Sequence, residues 1–309
     1  MPGRRPALWH TEQMPKVHAN GIEIEYETRG ERDGRPLVLV RGLGTQLIQW
    51  DPHLLEMLCA AGHFVVVFDN RDVGLSTHFH AAGTPDLSGV FSGAAPQAAD
   101  SLAYGLTDMA DDLVGLIDAL DLGEAHVAGI SMGGMIVQTA AIRHPDRIRS
   151  IASIMSSTGE PGLPGPTPEA AAALMEPAPP QRDAYVDYHT RTAKVLRGPG
   201  FPFDEAEHRL LAGRVFDRAF DPPGVARQLA AVSTATPRLE ALARLDVPTL
   251  VIHGAADGLI PPACGEATAR AIPGAALHLI DGMGHDLPAG AFEQLRELIG
   301  AHTRAAHTR

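Results

Sequence analysis

Three residues carry groups that can do chemistry together if the fold brings them to one place: Ser131, Asp257 and His285. Ser131 stands in Gly129-Ile130-Ser131-Met132-Gly133, between a short apolar run and a string that can continue as a helix. A serine at such a strand-to-helix turn adopts a cramped backbone and presents its hydroxyl at the end of the strand. The helix behind it aims its first N–H groups and the positive end of its dipole at the adjacent space, which suits a developing oxyanion. A serine hydroxyl is a weak nucleophile at neutral pH and needs a general base. Histidine is the natural one, held in the right tautomer by a carboxylate. Asp257 follows the apolar run Val251-Ile252-His253-Gly254, and His285 follows the next run in Asp281-Gly282-Met283-Gly284-His285. Taken singly, each has a plainer reading: Ser beside Gly is usually a turn, Asp after a strand is usually a helix cap, and the chain has 15 histidines, mostly for the surface. Their joint placement, in the order Ser, Asp, His and each past its own strand, favours nucleophilic acyl transfer.

An oxyanion needs two backbone donors. One is expected from Met132, next to the nucleophile, and the other from Leu43 in Arg41-Gly42-Leu43-Gly44, where the flanking glycines let the loop turn an amide inwards. Asp69, Asp72 and Asp286 compete for the role of acid and are not preferred; Asp286 adjoins His285 and should point away from it. His78 and His80 have a spacing that could suggest a metal, but without Cys or Glu support they read as solvated residues, so no metal and no cofactor is expected.

Elements that could position these groups are legible in chain order. Asn20-Gly21 between two short strand-like runs signals a hairpin. The runs 36–40, 64–68, 125–130, 148–155, 249–254 and 276–280 read as strands, several apolar on both faces as in a parallel sheet. Helical periodicity marks 46–59, 109–120, the segment after Ser131, 265–271 and 288–302, while 80–100 reads as a long surface loop. The alternation breaks between 156 and 240, where only helix-like segments appear, near 169–175, 182–196, 204–220 and 223–232. The expected architecture is α/β: a mostly parallel central sheet flanked by helices, with 1–155 and 241–309 as the core and 156–240 as an inserted helical cap.

Composition sets the outer bounds. A chain of 309 residues with a 45 % apolar share can bury a large core, and a net charge of −12 without any basic run argues against nucleic acid or an acidic membrane as partner. No signal-like leader and no membrane-length apolar run is seen, so the expectation is a soluble cytoplasmic protein; nothing sets an oligomeric state. Cys59 and Cys264 read as free buried thiols.

With these motifs assembled, the chain resembles the α/β-hydrolase superfamily over nearly its whole length. The resemblance rests on Arg41-Gly42-Leu43-Gly44, Asp69-Asn70-Arg71-Asp72-Val73-Gly74-Leu75-Ser76, Gly129-Ile130-Ser131-Met132-Gly133-Gly134, Gly254-Ala255-Ala256-Asp257 and Gly282-Met283-Gly284-His285. Within it, the Asp-Asn-Arg-Asp-x-Gly-x-Ser segment and the Gly-Met-Gly-His-Asp-Leu-Pro ending are similar to the group that includes aclacinomycin methylesterases and bacterial carboxylesterases. The resemblance implies the α/β-hydrolase fold and a cofactor-free carboxylesterase acting on a small-molecule ester. It also implies that Asp69 and Asp72 brace their turn. Dehalogenase and epoxide-hydrolase chemistry would need an aspartate where Ser131 stands. A carbon–carbon bond hydrolase, a lactonase or a non-catalytic receptor would keep the same residues. The superfamily usually has His-Gly where this chain has Arg41-Gly42. That guanidinium could bind a substrate carboxylate, although pairing with a structural acid is the expected use. Met155, Met175, Phe201, Phe203, Phe216 and Phe220 could line an apolar substrate pocket or form the core of the cap.

Overall fold

Runs that read as apolar on both faces become the middle of one eight-stranded sheet in the computed structural model, which describes residues 14–87 and 102–308. Its strands are β1 (Lys16–Ala19), β2 (Ile22–Arg29), β3 (Arg35–Val40), β4 (His63–Phe68), β5 (Ala125–Ile130), β6 (Ile148–Ile154), β7 (Thr249–Gly254) and β8 (Ala276–Ile280). They lie in the order β1-β2-β4-β3-β5-β6-β7-β8. The β1–β2 hairpin turns at Asn20-Gly21, both at positive φ, and pairs antiparallel with β4; from β4 to β8 every neighbour is parallel. All residues of β4, β5 and β7 are buried, as parallel strands covered on both faces must be.

Side chains of one strand divide between the faces with period two. Val38 and Val40 join Phe68, Met109, Leu113, Ile117 and Ile136 beneath α2 (Leu106–Ala119) and α3 (Met132–Arg143). Leu37 and Leu39 join Leu55, Val65, Leu295 and Ile299 beneath α1 (Pro52–Ala60) and α10 (Phe292–His307). Each such side chain stabilises the fold by roughly 1.5–3 kcal/mol through burial.

Two expected elements are modified, both for local reasons. The helix read over 46–59 is a short 3₁₀ turn, Leu47–Gln49, followed by α1, because Pro52 disfavours a helical conformation at Asp51. Asp51 instead caps α1, its carboxylate accepting from the His53 amide at 2.8 Å. Strand β6 stops one residue early: Met155 has φ +48 and turns the chain away. Part of the loop read over 80–100 lies outside the described residues; its start, His80–Ala82, is a 3₁₀ turn.

Between β6 and β7 the chain forms α4 (Pro168–Met175), α5 (Arg182–Leu196), α6 (Glu205–Arg218), α7 (Pro222–Ser233) and the four-residue α8 (Leu239–Leu242), the last not anticipated; α9 (Pro262–Ala271) follows β7. Helices α6 and α7 are tied to the loops after β3 and β4. Gln228 Nε2 donates to Arg71 O at 2.7 Å while its Oε1 accepts from the Gly44 amide at 2.8 Å. Gln46 Nε2 donates to Val215 O at 2.9 Å, and Arg218 pairs with Asp69 at 2.7 Å. Arg227 grips Asp72 with two hydrogen bonds of 2.7 Å. Burial alone would push Asp72 up. The Arg227 hydrogen bonds, with those from the Phe79 amide and the Tyr104 hydroxyl, outweigh it and hold the carboxyl below its ordinary value. Asp69 and Asp72 thus have their oxygens committed to fastening loops together.

Buried histidines make the fold acid-sensitive. His63 is enclosed, with its ring nitrogens against Leu58 O (2.9 Å) and Thr303 Oγ1 (2.7 Å), and burial pushes its pKa down to about 4. The unfolded chain, with an ordinary imidazole near 6.5, binds a proton that the folded chain refuses. Stability is therefore full above pH 6.5 and is lost as pH falls towards 4. Between pH 6.5 and 5 this amounts to roughly 2 kcal/mol, or a melting-temperature loss of about 5 °C. Melting curves across that range should show a shallower decline for His63→Gln; parallel curves would contradict the assignment. Among the described residues no helix is long and apolar enough to cross a membrane.

Candidate active site

Ser131 follows the last residue of β5 and precedes the first of α3, with φ +57 and ψ −120, a region that side-chain-bearing residues rarely occupy. The strain is held by its neighbours. Its amide donates to Ile154 O at 2.9 Å, and its carbonyl accepts from Gly134 N at 2.9 Å and from Ser156 Oγ at 2.8 Å. The close approach also needs glycine on either side. A Cβ on Gly129 would fall 2.0 Å from Gly133 O, and one on Gly133 would fall 2.3 Å from Val40 O.

Asp257 and His285 lie on the loops after β7 and β8, at the same parallel-sheet edge as Ser131. His285 Nδ1 is 2.7 Å from Asp257 Oδ2. The facing carboxylate places the imidazole proton on Nδ1 and leaves Nε2 with its lone pair, the tautomer a base requires. Asp257 Oδ1 accepts from the Leu259 and Ile260 amides, each at 2.9 Å, so the carboxylate is oriented from both sides. The structure joins Asp257 and His285. Among the described residues it forms no hydrogen bond from Ser131 Oγ to them, a contact that in resting enzymes is often long and tightens with substrate. Asp286 accepts from Gly284 N of its own loop at 3.1 Å and from Gly198 N, between α5 and α6, at 3.4 Å, and burial raises its pKa.

The Gly42 backbone passes beside Ser131: a Cβ there would lie 3.3 Å from Ser131 Cβ and 3.8 Å from Oγ. Among the described residues neither the Leu43 nor the Met132 amide donates to a protein acceptor, so both donors flanking the serine are unspent. Met155 packs in the core below the sheet edge, 1 % exposed, with its amide on Ile252 O at 2.9 Å. Phe216 and Phe220 pack at a tilt against each other (4.9 Å), and Tyr185 meets the first at a tilt and the second edge-on, whereas Met175 is exposed.

Two readings change in the folded chain. Arg41 has no carboxylate partner among the described residues. Its guanidinium lies over the Trp50 ring at 4.9 Å, because the end of the Leu47–Gln49 turn places that indole where an acid was expected. His78 is not a solvated residue: its ring bridges Asp221 Oδ2 (2.6 Å) and Gly74 O (3.0 Å), with His80 stacked on it at 5.2 Å. The three side chains could offer a cation one atom each, although His80 is exposed. Cys264 is buried, Cys59 half-buried, and both are free.

Sequence reasoning missed a clamp on the histidine loop. Gly198 and Gly200, between α5 and α6, run against the Gly282–His285 turn: Gly200 N donates to Gly282 O at 2.9 Å and His285 N to Leu196 O at 2.8 Å. A Cβ on Gly198 would fall 2.0 Å from Gly282 O. Gly198-Pro199-Gly200 was the available signal, two glycines around a proline where only helices were expected. His253 was also passed over. It is buried, held at Nε2 by Ile260 O (2.7 Å) and lowered in pKa by that burial, and it props the Asp257 loop from below.

Fold and site coincide with one family: residues 35–289 match the alpha/beta hydrolase fold family, and the chain belongs to it. It is 31 % identical to the rhodomycin D methylesterase DauP of Streptomyces sp. (strain C5), over 92 % of this chain and 96 % of that one. With DnrP of Streptomyces peucetius, another rhodomycin D methylesterase, identity is 30 % over the same shares. The crystal structure of the enol-lactonase from Burkholderia xenovorans LB400 superposes with a TM-score of 0.64 at 27 % identity, covering 96 % of this chain and all of that one (100 %).

Proposed function

We propose that the chain, a carboxylic ester hydrolase of the α/β-hydrolase family, works through an acyl-enzyme on Ser131. His285 Nε2 takes the hydroxyl proton as Oγ adds to the ester carbonyl, and Asp257 steadies the imidazolium that forms. The Leu43 and Met132 amides receive the negative oxygen. Collapse of the tetrahedral intermediate expels the alcohol, protonated by His285. Water, deprotonated by the same nitrogen, then adds to the acyl carbonyl and releases the acid and Ser131. Every proton moves through one imidazole, and the reading needs no cofactor.

One observation carries this reading: a strained serine between two unspent amides, with a carboxylate–imidazole pair on the same sheet edge. The helices of residues 156–240 act as a cap over a core of 1–155 and 241–309, and the half-buried Tyr185, Phe216 and Phe220 give that cap an apolar lining for a small-molecule ester. Likeness to two methylesterases supports a small alkyl ester as the substrate. Intact mass after exposure to a fluorophosphonate tests the mechanism. One adduct on the parent and none on Ser131→Ala is expected; no adduct on the folded parent would remove the acyl-enzyme reading.

A further inference from the structure

Arg41 is built differently from the other enclosed arginines. Arg71 holds Asp112 with two hydrogen bonds (2.6 and 2.7 Å), and Arg227 holds Asp72 with two of 2.7 Å. Arg238, without a carboxylate, donates to Gln138 Oε1 at 3.1 Å and Ser157 O at 2.7 Å. Arg41 has neither kind of partner among the described residues. Its Nε is buried and unpaired, and so is the indole Nε1 of Trp50, the ring beneath it. Leaving a buried donor unmet costs about 1–3 kcal/mol, and more when the group is charged. Both unmet donors belong to side chains in contact with one another, so this spot lacks an acceptor in the free protein.

The surroundings identify its chemistry. The charge of Arg41 reaches His189 on α5, whose ring lies 2.9 Å (Nδ1 to Nε2) from that of His208 on α6. Burial first, then His208 and Arg41, push His189 down to about 4, so near pH 7 it is a neutral donor and not a second cation. Burial brings Arg41 to about 10, which still leaves it charged at pH 7. Tyr185 packs against His189 at 5.6 Å and carries the lining on to Phe216 and Phe220. Arg41, Tyr185 and His189 are each half-buried and keep some accessible surface. The group holds a fixed cation, several N–H donors and aromatic walls, with no acid among them. Arg41 also sits directly before Gly42 and Leu43, so what it binds is held next to the reacting carbonyl.

We propose that Arg41, with Trp50 Nε1, receives a carboxylate of the substrate, so that the preferred esters carry a second, free carboxylate: half-esters of dicarboxylic acids. This rests on the ester-hydrolase reading of Ser131 and adds the substrate class. A planar guanidinium holds a carboxylate through paired hydrogen bonds, which lysine cannot reproduce.

The test compares monomethyl glutarate with dimethyl glutarate on the parent, Arg41→Met and Arg41→Lys, each checked for folding by melting. The parent should favour the half-ester in kcat/KM by at least about tenfold, as a charge-assisted hydrogen bond supplies. Arg41→Met should erase that preference through KM, and Arg41→Lys should restore only part of it. A second arm needs no turnover: glutarate should raise the melting temperature of Ser131→Ala, and of the Ser131→Ala, Arg41→Met double variant far less. A parent without preference, equal losses on both esters, or equal shifts with glutarate would each overturn the proposal. Fluorophosphonate labelling of the parent reports separately on Ser131, so failure of the catalytic reading is distinguishable from failure of the carboxylate site.

Discussion

Replacing Asp257 by asparagine is expected to cut kcat on a simple methyl ester about 10³–10⁴-fold with little change in KM or melting temperature. The substitution is close to isosteric. The amide oxygen can still accept from the Leu259 and Ile260 amides, so the loop after β7 keeps its shape. What changes is the atom facing His285 Nδ1 at 2.7 Å. An NH₂ there donates where the carboxylate accepted, which drives the imidazole proton to Nε2, and a protonated Nε2 cannot take the serine proton. The same change at Asp286, whose carboxylate serves the Gly284 and Gly198 amides, should cost only a few-fold. Steady-state kinetics of the two variants decide between the acids. Comparable losses, or the larger one at Asp286, would contradict the assignment of Asp257.

The second large effect is expected far from Ser131 in sequence, at Gly198→Ala. The new methyl would lie 2.0 Å from Gly282 O and 2.3 Å from Gly284 N, both backbone atoms, so the connection between α5 and α6 must withdraw. Withdrawal releases the hydrogen bond from the His285 amide to Leu196 O and shifts the imidazole. A displacement of about 1 Å at a reacting group costs on the order of 10²-fold, and here it should appear in kcat and in the rate of fluorophosphonate labelling alike. Gly165→Ala is the control: that Cβ meets nothing within 4 Å, and both rates should match the parent. If Gly198→Ala labels and turns over at the parent rate, the clamp does not position His285.

How far the sequence reached is best seen in single residues. Gly129, Gly133 and Ser131 are neighbours in the chain, and the requirement they meet is local: a strand must turn into a helix with no room for side chains. The same holds for Asn20-Gly21 in the hairpin and for the two-sided apolar strands, whose composition reports their burial directly. Asp257 and His285 were legible because each follows a run that reads as a strand, buried in β7 and at the sheet's edge in β8, and in a parallel sheet those ends share an edge. The sheet, the strained turn at Ser131 and the identity of the acid and base candidates were therefore determined by the sequence itself.

Tertiary structure decided what depends on distant partners. Arg41 was expected to find an acid, and only the folded 3₁₀ turn before α1 reveals an indole in its place and an unpaired Nε. Gly198 became a clamp because the insertion folds back onto the loop after β8, 84 residues on. Asp72 and Asp69 are occupied by Arg227 and Arg218, from helices about 150 residues later. His78 is held by Asp221 on the same principle. A turn records its own constraint in the residues that make it. An ion pair or a backbone contact across the fold leaves no local mark, because either residue alone would suit many other places, and only the packed chain selects one.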